Sequence, residues 1–97
     1  MTEDDIAKSD IVKSIAGRDA GKLFFVMDTE GEFLMLADGK TRRLEVPKRK
    51  KRKHTVFVER RACRVAEKIR SEEKVTNSEL RRTLAVCGED GNPDQEG

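Results

Sequence analysis

The sequence contains no tryptophan and no tyrosine, and its 97 residues include only four phenylalanines, two prolines and one histidine. Proteins that hold single-stranded nucleic acid usually need stacking surfaces, and so few aromatic rings supply them poorly. The lone histidine, His54, has no second histidine and no cysteine near it in sequence, so a zinc site lacks ligands. Neither an apolar run long enough to span a bilayer nor a signal-peptide pattern is visible, so we expect no membrane partner and a cytoplasmic location.

Cysteine is also scarce. Cys63 and Cys87 stand well apart, and neither belongs to a Cys-x-x-Cys motif. In a reducing cytoplasm we expect both to stay as thiols and to act as small core residues on apolar helix faces. The acidic and hydroxyl side chains form no recognisable nucleophile–base arrangement with His54. We therefore predict a protein with no catalytic site and no cofactor.

Charge is plentiful but unevenly distributed, which the net charge of +2 conceals. The first ten residues carry four acids against Lys8, and the last nine carry four acids and no base. Between Lys40 and Lys53 there are nine lysines and arginines and a single acid, Glu45. A strongly positive middle between acidic ends favours a polyanionic partner.

Short apolar runs separated by turn residues predict a β-rich first half. We expect four strands, at residues 11–16, 23–27, 33–37 and 41–46. A turn with a glycine at each side (17–21) joins the first two, a polar loop (28–32) the next two, and the dipeptide Asp38-Gly39 suits a tight hairpin before the fourth. Residues 55–58 fit either a fifth strand or an extended lead into a helix. A small bent barrel of about five strands is the economical arrangement, because closure protects the strand edges.

The second half has helical periodicity. Ala62, Val65, Ala66 and Ile69 form one apolar stripe, and Leu80, Leu84 and Cys87 form another. Thr76 and Glu79 match a capping box at the start of the second helix, and Gly88 is a natural terminator. The strands at 23–27 and 33–37 are apolar at consecutive positions, so both of their faces need cover. We predict that the two helices pack on the barrel and provide it.

Two features are candidates for binding. The run 48–53 consists of six adjacent cations, which repel one another, cannot be buried and favour phosphate partners. Three further cations on the predicted fourth strand, Lys40, Arg42 and Arg43, would extend this patch onto structured surface. The turn 17–22 combines glycines that allow close backbone approach with two cations, Arg18 and Lys22. Simpler explanations stay open for both, namely a solvated loop for the run and a plain β-turn for the glycines.

The order of these motifs resembles a known family. The segment Val12–Gly21, followed by the apolar strand 23–27, resembles the KOW motif of archaeal and eukaryotic large-subunit ribosomal proteins. It is closer still to a family of short bacterial KOW-domain RNA-binding proteins, which share the glycine-flanked turn, the hairpin Leu36–Gly39 and a Pro-Lys-rich segment, here Pro47–His54. The resemblance covers about half of the chain. The more apolar residues 55–58 and the acidic C-terminal tail depart from it.

The resemblance implies a small SH3-like (KOW-type) β-barrel, ribosomal or other structured RNA as partner, and no enzymatic activity. With the helical pattern it predicts a mainly β chain with a C-terminal α region: an acidic flexible arm (1–9), the barrel with its basic segment 48–54 (10–58), two short helices (59–88) and an acidic disordered tail (89–97). The expected RNA contacts are Gly17, Arg18, Gly21, Lys22, Lys40, Arg42, Arg43, Lys48, Arg49, Lys50, Lys51, Arg52, Lys53 and His54.

Two function classes follow. The leading hypothesis is a non-catalytic, ribosome-associated RNA-binding protein that holds structured RNA by phosphate contacts and shape. The alternative is a protein-docking module of a transcription or translation complex, with the helical region as the partner surface and the basic run as a secondary anchor.

Overall fold

The computed structural model of the protein describes residues 6–61 and 63–90. This part contains five strands, one 3-10 turn and two helices. The elements are β1 (Ile11–Ser14), β2 (Leu23–Glu30), β3 (Phe33–Ala37), β4 (Lys48–Lys51), the 3-10 turn (Arg52–His54), β5 (Thr55–Glu59), α1 (Arg64–Arg70) and α2 (Asn77–Asp90). The predicted class, mainly β with a C-terminal α region, is confirmed, and residues 55–58 belong to a fifth strand.

The sheet is antiparallel, with the strand order β4-β3-β2-β1-β5. The two edge strands, β4 and β5, are joined directly by the three-residue 3-10 turn, so the sheet must coil enough to bring these edges close at that end, although β4 and β5 are not paired with each other. Register shifts at Val26/Asp28 in β2 and at Ile11/Val12 in β1 supply bends. The ends of the turn are bonded across the fold: Arg52 N donates to Glu32 O, and Ile15 N donates to His54 O. The result is a small, strongly bent barrel.

Both faces of the central strands are buried, as the consecutive apolar positions predict. Phe24 points into the barrel with Val12 and Leu36, whereas its neighbour Phe25 points outwards. Phe25 lies in a second cluster, which joins the sheet to both helices through Val65, Ile69, Leu80, Leu84 and Cys87. The prediction that the helices cover the barrel is therefore confirmed.

The second helix begins as its sequence predicts, whereas α1 begins at Arg64 and Ala62 of the predicted stripe lies outside the described residues. Thr76 N donates to a Glu79 carboxylate oxygen at 2.9 Å, and Glu79 N donates to Thr76 Oγ1 at 3.2 Å, which is the reciprocal capping box. The prediction that Gly88 ends α2 is wrong, because the helix continues to Asp90. Cys63 and Cys87 are thiols, half-buried and buried respectively.

The predicted fourth strand at 41–46 is also wrong: this segment is a loop, and the strand that pairs with β3 is the basic run itself. The cause lies at Asp38. Its carboxylate accepts hydrogen bonds from the backbone N of Lys40 and of Arg42 and from the Thr41 hydroxyl, at 2.7–2.9 Å. These bonds curl the chain into a local turn, so a ten-residue loop (38–47) replaces the expected two-residue hairpin.

The N-terminal segment is packed where the structure describes it. Ile6 is 3% exposed and lies in the barrel core, and Ser9 N donates to Val26 O at 2.7 Å. Buried Asp10 accepts a two-pronged contact from Arg60, at 2.8 and 3.0 Å. The predicted flexible arm is therefore wrong for residues 6–9, because Ile6 is an apolar side chain with a core position to fill. Residues 1–5 and most of the predicted acidic tail (91–97) lie outside the described residues.

Candidate nucleic-acid interface

The glycine-flanked turn connects β1 to β2 and is tightly closed. Gly21 N donates to Ser14 O at 2.7 Å, and Ser14 N donates to Lys22 O at 3.0 Å. Gly17 and Gly21 have φ angles of +84° and +92°, which side-chain-bearing residues rarely adopt. Arg18 and Lys22 are exposed on this turn. The two glycines are thus required for a chain reversal that presents two cations.

Asp19 ties this turn to the basic strand. Its carboxylate accepts hydrogen bonds from Ser14 Oγ at 2.8 Å and from Lys50 Nζ at 3.0 Å, and Lys48 Nζ lies 3.8 Å away. Burial acts to raise the pKa of Asp19, but the hydrogen bonds from Lys50 and Ser14 and the charges of Lys50 and Lys48 outweigh it, so the pKa lies below its ordinary value. Asp19 is therefore a carboxylate whose charge is already matched inside the protein.

Around Asp19 the turn, the 38–47 loop and β4 enclose a cleft of about 290 Å³. Its lining includes four cations from three separate segments: Arg18, Lys22, Arg42 and Lys48. Asp19 is the one acid in the lining, so its formal charge is four positive minus one negative, or +3. Thr41 also belongs to the lining, but its hydroxyl already donates its hydrogen to Asp38 and can only accept a hydrogen bond from a ligand. We call this group of residues the cationic cleft.

A second cleft of about 460 Å³ adjoins the first and shares Lys22 and Thr41 with it. It lies between the 38–47 loop and α2, with apolar walls from Leu23 and Leu84 and with Lys40 and Arg81 among the residues around it. Together the two clefts form a continuous surface on which every lining cation comes from the turn, the loop, β4 or α2. This surface brings Lys40 into the same neighbourhood as the turn.

The basic run does not act as one patch, because a strand sends alternate side chains to opposite faces. Lys48 and Lys50 are paired with Leu36 and Leu34, whose side chains are inside the barrel. Lys50 is only 8% exposed, and its ammonium group also donates to Ala16 O at 3.0 Å. The expectation that none of these cations can be buried is wrong for Lys50, because its stem fills the barrel end while its charge meets Asp19.

The remaining cations of the run lie elsewhere. Arg49 stacks over the Phe33 ring at 3.9 Å and lies 3.5 Å from Glu30. Arg52 is half-buried and donates to Gly31 O at 2.7 Å and Ile6 O at 2.9 Å, so it fastens the hairpin and the N-terminal segment. Of the predicted RNA contacts, five cations lie in the lining of the two clefts: Arg18, Lys22, Lys40, Arg42 and Lys48. Gly17 and Gly21 shape the turn that carries the first two. The structure does not bring to the cleft lining the other seven: Arg43, Arg49, Lys50, Lys51, Arg52, Lys53 and His54.

Sequence reasoning missed the residues that position the loop. Arg81 donates to Gly39 O at 2.9 Å, and Leu44 N donates to the Asn77 side-chain oxygen at 2.8 Å, so the start of α2 holds the loop in place. Burial acts to raise the pKa of Asp38, but the hydrogen bonds from Arg42, Thr41 and Lys40 outweigh it and lower that pKa. The Asp-Gly dipeptide was a visible signal for a turn, whereas nothing local in sequence indicated the contacts of Asn77 and Arg81.

Within residues 6–61 and 63–90, no cluster of three or more histidine, cysteine, aspartate or glutamate side chains is placed to hold a metal ion. In the same part of the chain, neither helix is long and apolar enough to cross a membrane. No protein-family model matches the sequence, and no curated protein matches it significantly.

Proposed function

We propose that this protein binds structured RNA through the cationic cleft, without catalysing a reaction. The observation that carries the proposal is the convergence of Arg18, Lys22, Arg42 and Lys48 on one cleft, although they come from three separate segments of the chain. Cations that merely aid solubility have no reason to converge, because bringing them together costs repulsion. A phosphate group offsets that repulsion, and its binding releases condensed counterions.

Double-helical or otherwise structured RNA fits this surface better than single strands do. Base stacking needs exposed rings, yet Phe24 and Phe25 are fully buried and Phe33 lies beneath Arg49. Phe57 is the one phenylalanine of the described residues that is strongly exposed, and it is not part of the cleft lining. An A-form helix is recognised mainly by its backbone and shape, which a compact set of cations suits.

The ribosome is the partner that the KOW resemblance favours, and with it a cytoplasmic location. The barrel with strand order β4-β3-β2-β1-β5 and the glycine-flanked turn between its first two strands support this extension of the proposal. Fold alone does not fix a partner. Sedimentation of the protein with ribosomal fractions, followed by crosslinking and sequencing of the attached RNA, tests it, and a protein that stays at the top of the gradient at low salt would contradict it.

The clearest test of phosphate binding removes the four cations of the cleft together: Arg18→Gln, Lys22→Gln, Arg42→Gln and Lys48→Gln. We expect affinity for a ribosomal RNA hairpin to fall and the slope of log affinity against log salt to become shallower by about 0.9 for each lost contact. The cleft cations are outside the two apolar clusters, so the variant should remain folded by circular dichroism.

A matched control neutralises four exposed cations outside the cleft lining: Lys13, Arg64, Lys74 and Arg82. Both variants change the net charge from +2 to −2, so an unspecific charge effect would weaken binding equally. The proposal predicts that the control retains most of the parent's affinity and salt slope. Equal losses in the two variants would refute a localised site.

A further inference from the structure

The strand β5 exposes apolar side chains that the RNA proposal does not use. Val56, Phe57 and Val58 are 37%, 47% and 36% exposed, and we call these three residues the β5 strip. Ile15, which follows β1 and bonds to His54 O, is 50% exposed beside it. These four are most of the six large apolar side chains that are exposed in the described residues. A strand sends alternate side chains to opposite faces, so Val56 and Val58 lie on one face of β5 and Phe57 on the other, and exposed apolar side chains border the strand on both faces.

The strip also lies on a sheet edge. β5 pairs with β1 on one side, and the strand order gives it no second neighbour among the described strands. An edge strand presents unpaired backbone donors and acceptors, and natural proteins usually blunt such edges with charges or prolines, or cover them. The sequence TVFVE of β5 has strong β propensity and a single charge, Glu59, which is paired with Arg61.

Cations flank the strip at both ends. Residues 51–64 contain six lysines and arginines and one acid, and buried Asp10 forms an ion pair with Arg60, so the formal charge of this group is six minus two, or +4. Lys13 is exposed on β1 directly opposite Val56 and adds to this charge. The surface is thus an apolar strip between positively charged ends.

A second copy of the chain fits this surface poorly. Antiparallel pairing of two β5 strands about Phe57 would set Lys53 of each copy opposite Arg61 of the other, and would bring two groups of charge +4 together. Like charges across an interface are costly. RNA fits poorly as well, because Phe57 is the one ring of the β5 strip and already lies 5.8 Å from the Arg60 guanidinium, and bases cannot satisfy a strand's backbone groups in register.

We propose that β5 accepts an extended segment of a protein partner as a sixth strand, with an apolar centre and acidic flanks. Backbone hydrogen bonds along the free edge would supply affinity, apolar contacts would cover the β5 strip, and the flanking acids would meet the cations. This surface differs from the helical one expected from the sequence, since the apolar stripes of α1 and α2 are buried against the sheet. The proposal stands independently of the cationic cleft.

The test is a nuclear magnetic resonance titration of the ¹⁵N-labelled full chain with two synthetic peptides. Both have an alternating valine–threonine centre; one carries two glutamates at each end and the other two lysines. We expect the acidic peptide to shift the amide signals of 55–59, to slow their hydrogen exchange, and to bind at least about tenfold more tightly than the basic one. Its affinity should fall as salt is added.

The variant Val56→Thr, Phe57→Thr, Val58→Thr keeps β propensity but removes the apolar strip, and it should lose at least about tenfold in affinity for the acidic peptide. Val86→Thr, a change at another exposed apolar residue, is the control and should bind like the parent. The comparison of the two peptides on the unmodified protein needs no variant, so a folding defect in the triple variant leaves the test intact.

Three results would overturn the proposal. Equal affinity for the two peptides, or shifts confined to Arg18 and Lys22, would show that β5 is not a strand acceptor for acidic segments. Concentration-dependent dimerisation that protects 55–59 would assign the strip to a second copy. Shifts of the β5 amides on addition of an RNA hairpin, without any from the acidic peptide, would assign it to RNA. Each of these can occur whether or not the cationic cleft binds RNA.

Discussion

Replacing Lys50 with methionine is the most direct test of how the candidate interface is built. The substitution keeps the length and apolar character of the buried stem but removes the ammonium group, which donates to Asp19 and to Ala16 O, each at 3.0 Å. Asp19 keeps its hydrogen bond from Ser14 and its proximity to Lys48, so its charge is left partly compensated. Its carboxylate is 14% exposed, and water therefore replaces little of what is lost.

The expected decrease in the free energy of unfolding can be estimated from these contacts. Removing one partner of a buried ion pair costs about 3–5 kcal/mol when the other is left uncompensated. The remaining contacts of Asp19 reduce this, and we expect a decrease of about 2–3 kcal/mol in the free energy of unfolding. In the Asp19→Asn background the same substitution should cost about 1 kcal/mol less, because no carboxylate is then left without its cation.

Urea unfolding followed by far-ultraviolet circular dichroism measures both values, since the chain has no tryptophan or tyrosine to report by fluorescence. Lys53→Met is the matched control: Lys53 is exposed, so the same charge is lost with a change within about 0.5 kcal/mol. If Lys50→Met were no more destabilising than Lys53→Met, the assignment of Lys50 to a structural role would be refuted.

Three further predictions follow from the loops and caps. In urea unfolding, Gly39→Ala should lower the free energy of unfolding by about 2–4 kcal/mol, because an added Cβ would lie 2.2 Å from Asn77 O at a φ of +79°. Gly21→Ala, with open space around the added Cβ, should lower it by only about 1–2 kcal/mol. The pKa of Asp38 lies below its ordinary value of 3.8, so its ionised carboxylate stabilises the folded state above about pH 4, and this contribution is lost as pH falls through the folded pKa. When the free energy of unfolding is measured against pH, Asp38→Asn should therefore make its decrease at low pH less steep. Thr76→Ala should lower stability by about 1 kcal/mol in thermal unfolding, and Thr76→Ser should restore most of it.

Local patterns in the sequence were sufficient for much of the fold. The consecutive apolar residues Phe24 and Phe25 predicted a strand buried on both faces, and the pair Thr76 and Glu79 predicted a helix start, because both signals act over a few residues. The turn 17–22 was recognisable for the same reason. In each case the stabilising contact lies within the segment or follows from the spacing of its apolar residues.

The basic run could not be predicted from local patterns. Six cations in a row indicate a solvated segment, and only the position of Asp19, 31 residues before Lys50, turns the run into a strand with a buried lysine. The side-chain bonds of Asp38 likewise displaced the expected strand at 41–46, which moved Arg42 onto a loop. The cations of the cleft could therefore be identified from the sequence. Which of the predicted cations line the cleft and which are held in internal contacts depends on the tertiary structure.

The attachment of the 38–47 loop to α2 has a consequence for the stage of synthesis at which the cationic cleft is assembled. Arg42 and Lys40 are placed by a loop that Asn77 and Arg81 hold, so the barrel sequence alone does not complete the two clefts. Chains fold from the N-terminus as they are made, and the strands are therefore complete before α2 exists. A newly made barrel thus carries all four cations of the cationic cleft but gains the ordered cleft only when α2 has been synthesised.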